Sequence, residues 1–240
     1  MKLTVLGMNG PYPQAQGACS GYLVEAGEKR IQLDLGCGTL AALTALAAPE
    51  ALTALVFSHW HFDHCSDALP LIYRLADQAG ERVLPVYGPV DDMSPVRAAL
   101  KACPAVHLTD LAPGDTLDLA GVTLRAFAAR HPVPALMLRL EAEGKTLCYT
   151  GDTNTVDGLT DFARGADLLL ADGLFPEAMW AEGKPHLAAA MTAALARDAG
   201  AKRLVVTHLN PAIDPETLLR EARAIRPDAQ LARRGAVYTL

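Results

Sequence analysis

Nowhere in its 240 residues does the chain hold an apolar run of the roughly 18 residues that a membrane-spanning helix needs, so no membrane partner is expected. Nor is a secretory signal expected. Met1 to Gly7 is too short an apolar stretch, and it runs straight into the turn-forming Asn9-Gly10-Pro11. It reads instead as the first strand of the fold. No CxxC pair is present. The five cysteines (Cys19, Cys37, Cys65, Cys103, Cys148) are odd in number and widely spaced, which favours reduced thiols in a cytoplasm over a disulfide framework. Positive charge is not in surplus: Lys+Arg is 21 against 27 Asp+Glu, a formal charge of −6. That argues against a broad phosphate-binding surface, and no stable nucleic-acid complex is expected. There is no linker, low-complexity tract, charge block or short-period repeat, so residues 1–240 read as a single domain. The hydrophobic share of 51%, the charged share of 20% and a mean hydropathy of +0.17 rule out wholesale disorder.

Short β-prone runs fill the first third, at Leu3 to Leu6, Tyr22 to Glu25 and Ile31 to Leu35. A helix is expected over Leu40 to Ala48, a buried strand over Leu52 to Ser58, and a second helix over Ala68 to Gln78 with Gly80 as its stop. Val83 to Tyr87 reads as a strand, and Ser94 to Ala102 as a helix with Ser94 as cap and Pro95 at its first position. Further strands are expected at Ala105 to Leu108, Val122 to Ala128, Ala135 to Glu141, Thr146 to Thr150, Asp167 to Ala171, Arg203 to Thr207 and Val237 to Leu240. Helices are expected at His186 to Ala199 and Pro215 to Ile225. This β-rich order lacks strict βαβα alternation. It suits two mixed sheets between helices better than a doubly wound parallel sheet.

Three of the seven histidines fall within six residues, in His59-Trp60-His61-Phe62-Asp63-His64. The segment follows a buried strand directly, at the end where sites are commonly built. His59 and His61 are two apart, so an extended loop can point both rings the same way. Asp63 and His64 reach a point further on. One loop can thus serve two neighbouring metal ions with nitrogen and oxygen ligands, a set suited to zinc and also to manganese or iron. His131, Asp152 and His208 each sit at the end of an expected strand. Alone, a strand-end Asp before Thr is more often a turn former, and a single His more often a hydrogen-bonded core residue. The joint pattern is what points to a metal centre. His107 fits none of it and reads as structural.

These residues resemble the metallo-β-lactamase superfamily, whose central signature is HxHxDH. The likeness is closer to its ribonuclease Z-like phosphodiesterases, which include small bacterial probable metallo-hydrolases. Leu3 to Gly7 with Ser20 to Val24, Asp34-Leu35-Gly36-Cys37-Gly38, His131-Pro132-Val133-Pro134-Ala135 and Leu204 to Leu209 all look like that branch. The resemblance implies an α/β fold, an αβ/βα sandwich of two mixed β-sheets with helices on the outer faces. It implies two divalent metal ions, one on His59, His61 and His131, the other on Asp63, His64 and His208, with Asp152 between them. His186 matches the branch's general acid, and Asp172 the acidic residue that orients it. Asp63, His186 and Asp172 make up the candidate catalytic set. A homodimer is common in the branch, and the helix from Ala68 to Leu75 is one place for its contact.

Ribonuclease Z proteins that cut tRNA precursors carry a long arm between the positions matching His131 and Asp152. Here only 20 residues separate them. The expectation is therefore a small or cyclic phosphodiester, or a short nucleic-acid end. Other readings stay open: a lactone, β-lactam or thioester hydrolase with the same metal site, a tRNA 3′-processing endonuclease, or a metal-binding protein without activity. The loop Phe175 to Lys184, with Phe175, Met179 and Trp180, reads as a pocket wall or lid.

Overall fold

The computed structural model describes residues 1–77 and 82–240. Its strands in chain order are β1 (Lys2–Gly7), β2 (Gly21–Ala26), β3 (Lys29–Leu33), β4 (Ala54–Val56), β5 (Leu84–Gly88), β6 (Val106–Asp110), β7 (Thr116–Asp118), β8 (Thr123–Ala128), β9 (Leu136–Ala142), β10 (Lys145–Tyr149), β11 (Leu168–Asp172), β12 (Leu204–Thr207), β13 (Gln230–Leu231) and β14 (Val237–Thr239). The helices are α1 (Thr39–Thr44), α2 (Phe62–Cys65), α3 (Ala68–Asp77), α4 (Pro95–Ala102), α5 (Leu159–Ala163), α6 (Ala189–Asp198) and α7 (Pro215–Ile225). One sheet runs β14-β1-β2-β3-β4-β5-β6 and the other β13-β12-β11-β10-β9-β8-β7. Both are mixed. The β1–β2 and β2–β3 pairs are antiparallel and β3 through β6 parallel, while β7 through β10 are antiparallel and β10 through β13 parallel.

Side-chain alternation builds the layers. Leu168 and Leu170 of β11 point between the sheets, with Val5, Tyr22, Ile31 and Leu138. Their neighbours Leu169 and Ala171 point outward, under Ala193 and Ala196 of α6 and Leu218 of α7. The first sheet does the same: Leu55 faces outward with Leu71, Leu75, Val96 and Leu100 of α3 and α4. Helices therefore cover both outer faces, as the element order and the family resemblance predict. Truncating an inter-sheet leucine such as Leu170 to alanine would cost about 2–5 kcal/mol.

Local chemistry explains where the elements begin and end. Ser94 accepts a hydrogen bond from Arg97 N–H, and Pro95 opens α4. Asp214 and Pro215 do the same for α7. Buried Ala68, Leu71 and Leu75 form one stripe of α3, while Leu69 and Tyr73 are exposed. The expected end of that helix, Gln78 with the Gly80 stop, lies outside the described residues. β9 and β10 are joined by Glu143 and Gly144 alone, at φ +56° and +67°, the geometry of a tight hairpin turn. The 20 residues between His131 and Asp152 are thus largely taken up by two paired strands.

Four elements went unread in the sequence: β7, β13, α2 and α5. β7 is half-exposed edge strand and β13 has two residues, so neither carries an apolar period. The helix expected from His186 begins only at Ala189. Residues Phe175 and Ala188 form a β-bridge first, with Ala189 N–H donating to Phe175 O at 2.9 Å, so His186 lies in extended chain ahead of the helix.

Candidate metal centre

The candidate side chains gather along one edge of the sandwich, where strands of both sheets end. β4 leads through Phe57 and Ser58 to His59 and His61. His61 is extended, as the two-residue spacing suggests, and the next four residues are one helical turn, α2. Its first bonds run from the N–H groups of His64 and Cys65 to His61 O. The turn sends Asp63 and His64 to a different point from His59 and His61, so a six-residue segment serves two clusters.

The first cluster is His59, His61 and His131. His61 Nδ1 lies 3.1 Å from His59 Nε2 and 3.0 Å from His131 Nε2. Nitrogens bound at about 2.0–2.1 Å to one tetrahedral ion would sit about 3.3 Å apart, so the spacing suits a shared cation. Burial lowers the pKa of all three rings, that of His131 to about 4. They are therefore neutral at pH 7, the form that ligates metal. His131 Nδ1 lies 3.3 Å from Pro185 O, which places the ring proton there and leaves Nε2 free.

The second cluster is Asp63, His64, Asp152 and His208. His208 Nε2 is 3.1 Å from Asp63 Oδ2 and 3.2 Å from Asp152 Oδ2. His64 Nε2 is 3.2 Å from Asp152 Oδ1. Asp152 also faces the first cluster, with Oδ2 3.6 Å from His59 Nε2. Burial works against a charged His64, but the carboxylates of Asp152, Asp63 and Asp34 surround it and hold its pKa well above the usual value. Burial would raise the pKa of Asp152, yet His208, His64 and His59 hold it well below the carboxylate range. Despite their proximity, His64 Nε2 and Asp152 Oδ1 make no well-aligned hydrogen bond, and both are buried. Leaving such groups bare costs about 1–3 kcal/mol each. The donor set and these orphaned atoms fit divalent cations at both clusters.

Beneath the clusters lies Asp34, fully buried at the end of β3. It accepts hydrogen bonds from Ser58 N–H at 2.7 Å, Ser58 Oγ at 2.8 Å and Tyr149 Oη at 2.6 Å, and pairs with His64 Nδ1 at 2.8 Å. The last contact places the His64 proton on Nδ1 and turns Nε2 towards the cluster. Asp34 was quoted in the sequence as part of the DLGCG run but given no role. A carboxylate closing a buried apolar strand was the available signal. Gly10 was also missed. Its backbone lies so close to His208 that a Cβ there would fall 2.0 Å from Nε2.

Beside the clusters stands a third pair. His186 Nδ1 lies 2.8 Å from Asp172 Oδ2 and 3.9 Å from Asp152 Oδ2. Burial disfavours a charged His186, but Asp172 outweighs it by charge and hydrogen bond and raises the pKa to about 9. Asp172 also accepts from Thr153 N–H at 3.2 Å and Leu174 N–H at 3.1 Å, so its oxygens are engaged. Asn154, unread in the sequence, anchors the neighbouring loop: its amide reaches Ala181 O and Lys184 O, and Trp180 Nε1 donates to its Oδ1. Phe175 lies 5.8 Å from the His186 ring, while Met179 is exposed. The expected loop thus flanks His186 through Phe175. His107 is exposed on β6, outside all three groups. A separate cavity of about 660 Å³ between α7 and β14 reaches none of these clusters' side chains. All five cysteines are unpaired, and among the described residues no helix is long and apolar enough to cross a membrane.

The chain is similar to several known proteins. A family model described as the β-lactamase superfamily domain matches residues 29–209. The chain is 30% identical to the probable metallo-hydrolase YhfI of Bacillus subtilis, over 99% of each chain. The crystal structure of YhfI, a metallo-β-lactamase fold protein, superposes with a TM-score of 0.93 at 28% identity, covering 99% of this chain and 98% of that one. A ribonuclease Z of Methanosarcina acetivorans is 25% identical over 94% of this chain and 93% of its own. The short form of human tRNase Z has the same fold, with a TM-score of 0.81 at 21% identity over 100% and 99% of the two chains.

Proposed function

Because the chain belongs to the metallo-β-lactamase superfamily, in its ribonuclease Z-like branch, we propose that it is a metal-dependent phosphodiesterase of small or cyclic phosphodiesters or short nucleic-acid ends. His59, His61 and His131 would hold one divalent ion, Asp63, His64 and His208 the second, with Asp152 between them. Two such ions, zinc on this ligand set with manganese or iron as alternatives, would supply a water of lowered pKa and a clamp on the phosphoryl oxygens.

The observation that carries the reading is the His186–Asp172 pair. An alkoxide leaving group needs a proton as its bond to phosphorus breaks. His186 is buried next to Asp152, and its Nδ1 is held by Asp172 at 2.8 Å. That contact leaves Nε2 to face the leaving oxygen and deliver the proton. Asp172 keeps the ring charged and oriented, and the N–H groups of Thr153 and Leu174 hold its carboxylate in place. A small substrate is favoured by the β9–β10 hairpin, which occupies the stretch where a tRNA-gripping arm would emerge, and by the net charge of −6.

The test is turnover of bis-p-nitrophenyl phosphate by metal-loaded protein, with a lactone and a β-lactam in parallel. Preferential diester cleavage is expected. Turnover of the lactone or lactam alone would contradict the reading. Precursor tRNA should bind weakly, and tight binding with correct 3′ processing would overturn the preference for small substrates.

A further inference from the structure

Of the first cluster, His131 stands in the wall of a cleft of about 520 Å³. That volume falls within the range of sites that hold small organic ligands, about 300–1,000 Å³. The composition of the wall is uniform. Apart from His131, every lining residue is alanine, valine, leucine or proline, among them Pro89, Val90, Leu111, Pro113, Val133 and Pro134. Among the described residues no charged side chain lines it. His131 itself is engaged, with Nδ1 at Pro185 O and Nε2 turned to His61.

Several backbone groups of the wall are already paired. Leu111 N–H donates to Gly88 O at 2.8 Å, Leu136 N–H to Ser58 O at 2.9 Å and Ala129 N–H to Ala135 O at 3.2 Å. Pro89 O accepts from Trp60 Nε1 at 2.7 Å. Four prolines (Pro89, Pro113, Pro132, Pro134) bring no N–H and stiffen the loops. A phosphate or a sugar acid entering this space would lose hydration and meet no charged side chain in the wall. An uncharged, largely apolar group would lose nothing and gain contact area. None of His186, Asp172, Phe175 or Lys184 lines the cleft, so the leaving group and its proton donor lie elsewhere.

On the phosphodiesterase reading given above, we propose that this cleft is the specificity pocket for the substituent that stays on phosphorus. It takes an uncharged, largely apolar group of ring size, such as an aryl ring. It selects by size and absence of charge rather than by hydrogen-bond pattern.

The experiment holds the leaving group fixed. Methyl, phenyl and 4-carboxyphenyl esters of p-nitrophenyl phosphate are compared with the metal-loaded protein, each rate divided by that of the free ester in alkali. The phenyl ester should exceed the methyl ester by about tenfold or more in kcat/KM, mostly through KM, and the carboxylate should erase the gain. Val90 is half-exposed, on the loop after β5, so its replacement should leave the fold intact. Val90→Asp should bring the phenyl-to-methyl ratio close to one. Equal values for all three esters in the wild-type protein would overturn the pocket and leave the diester reading standing. Failure to turn over any of the three would overturn both.

Discussion

The two clusters meet at Asp152 and differ in kind. The first is three imidazoles, two of them half-buried, brought to one point by a loop after β4 and by the segment before β9. Its rings are kept neutral by burial. The second mixes two carboxylates with two buried histidines, and Asp34 adds a further negative charge behind His64. Here the carboxylates oppose the cost of burying a cation. The second cluster would attract a dication by charge, and the first would bind one chiefly by imidazole lone pairs, with Asp152 beside it. On these grounds the second site should fill first as metal is titrated in. A titration in which the histidine cluster filled first would reverse that assignment.

Substitutions can break or sharpen the contrast. The largest effect belongs to the shared residue. Asp152→Ala should lose both ions and all activity, and full metal occupancy in that variant would refute its bridging place. Single-cluster changes come next. His61→Ala should lose the first ion together with activity, and His208→Ala should lose the second, each read by metal analysis of the purified protein. Gly10→Ala should resemble His208→Ala, because its new methyl group falls on that ring. Asp34→Asn is a smaller change, removing one charge from behind His64. It should weaken the second site by about 10–100-fold in metal affinity and spare the first. Equal weakening of both sites would show that Asp34 supports the fold rather than one ligand.

The same contrast explains what could be read in the sequence. His59 to His64 is legible because one loop carries four candidate ligands, and no ordinary turn has that composition. The second sheet contributes one residue per strand end: His131, Asp152, Asp172 and His208. Each is unremarkable alone, so the family resemblance had to order them. The span of α7, Pro215 to Ile225, was legible, and its bounds agree with the structure. The position of His186 was not, because an Ala-rich run does not reveal that residues 175 and 188 pair before α6 starts. Asp34 and Asn154 were silent for a related reason. Their roles rest on partners 24 to 115 residues away for Asp34 and about 30 residues away for Asn154, and no local pattern reports those.

What separates this site from a bare pair of metal ions is the His186–Asp172 dyad, and the most direct test is the dependence on the leaving group. Rates of wild-type protein and His186→Ala should be compared on two diesters that differ only in the departing alcohol, a p-nitrophenyl and an alkyl ester, with metal content measured alongside. The account predicts unchanged metal in the variant, a loss of about 10²–10⁴-fold on the alkyl ester, and little loss on p-nitrophenolate, which departs without a proton. An equal loss on both esters, or none on either, would contradict it.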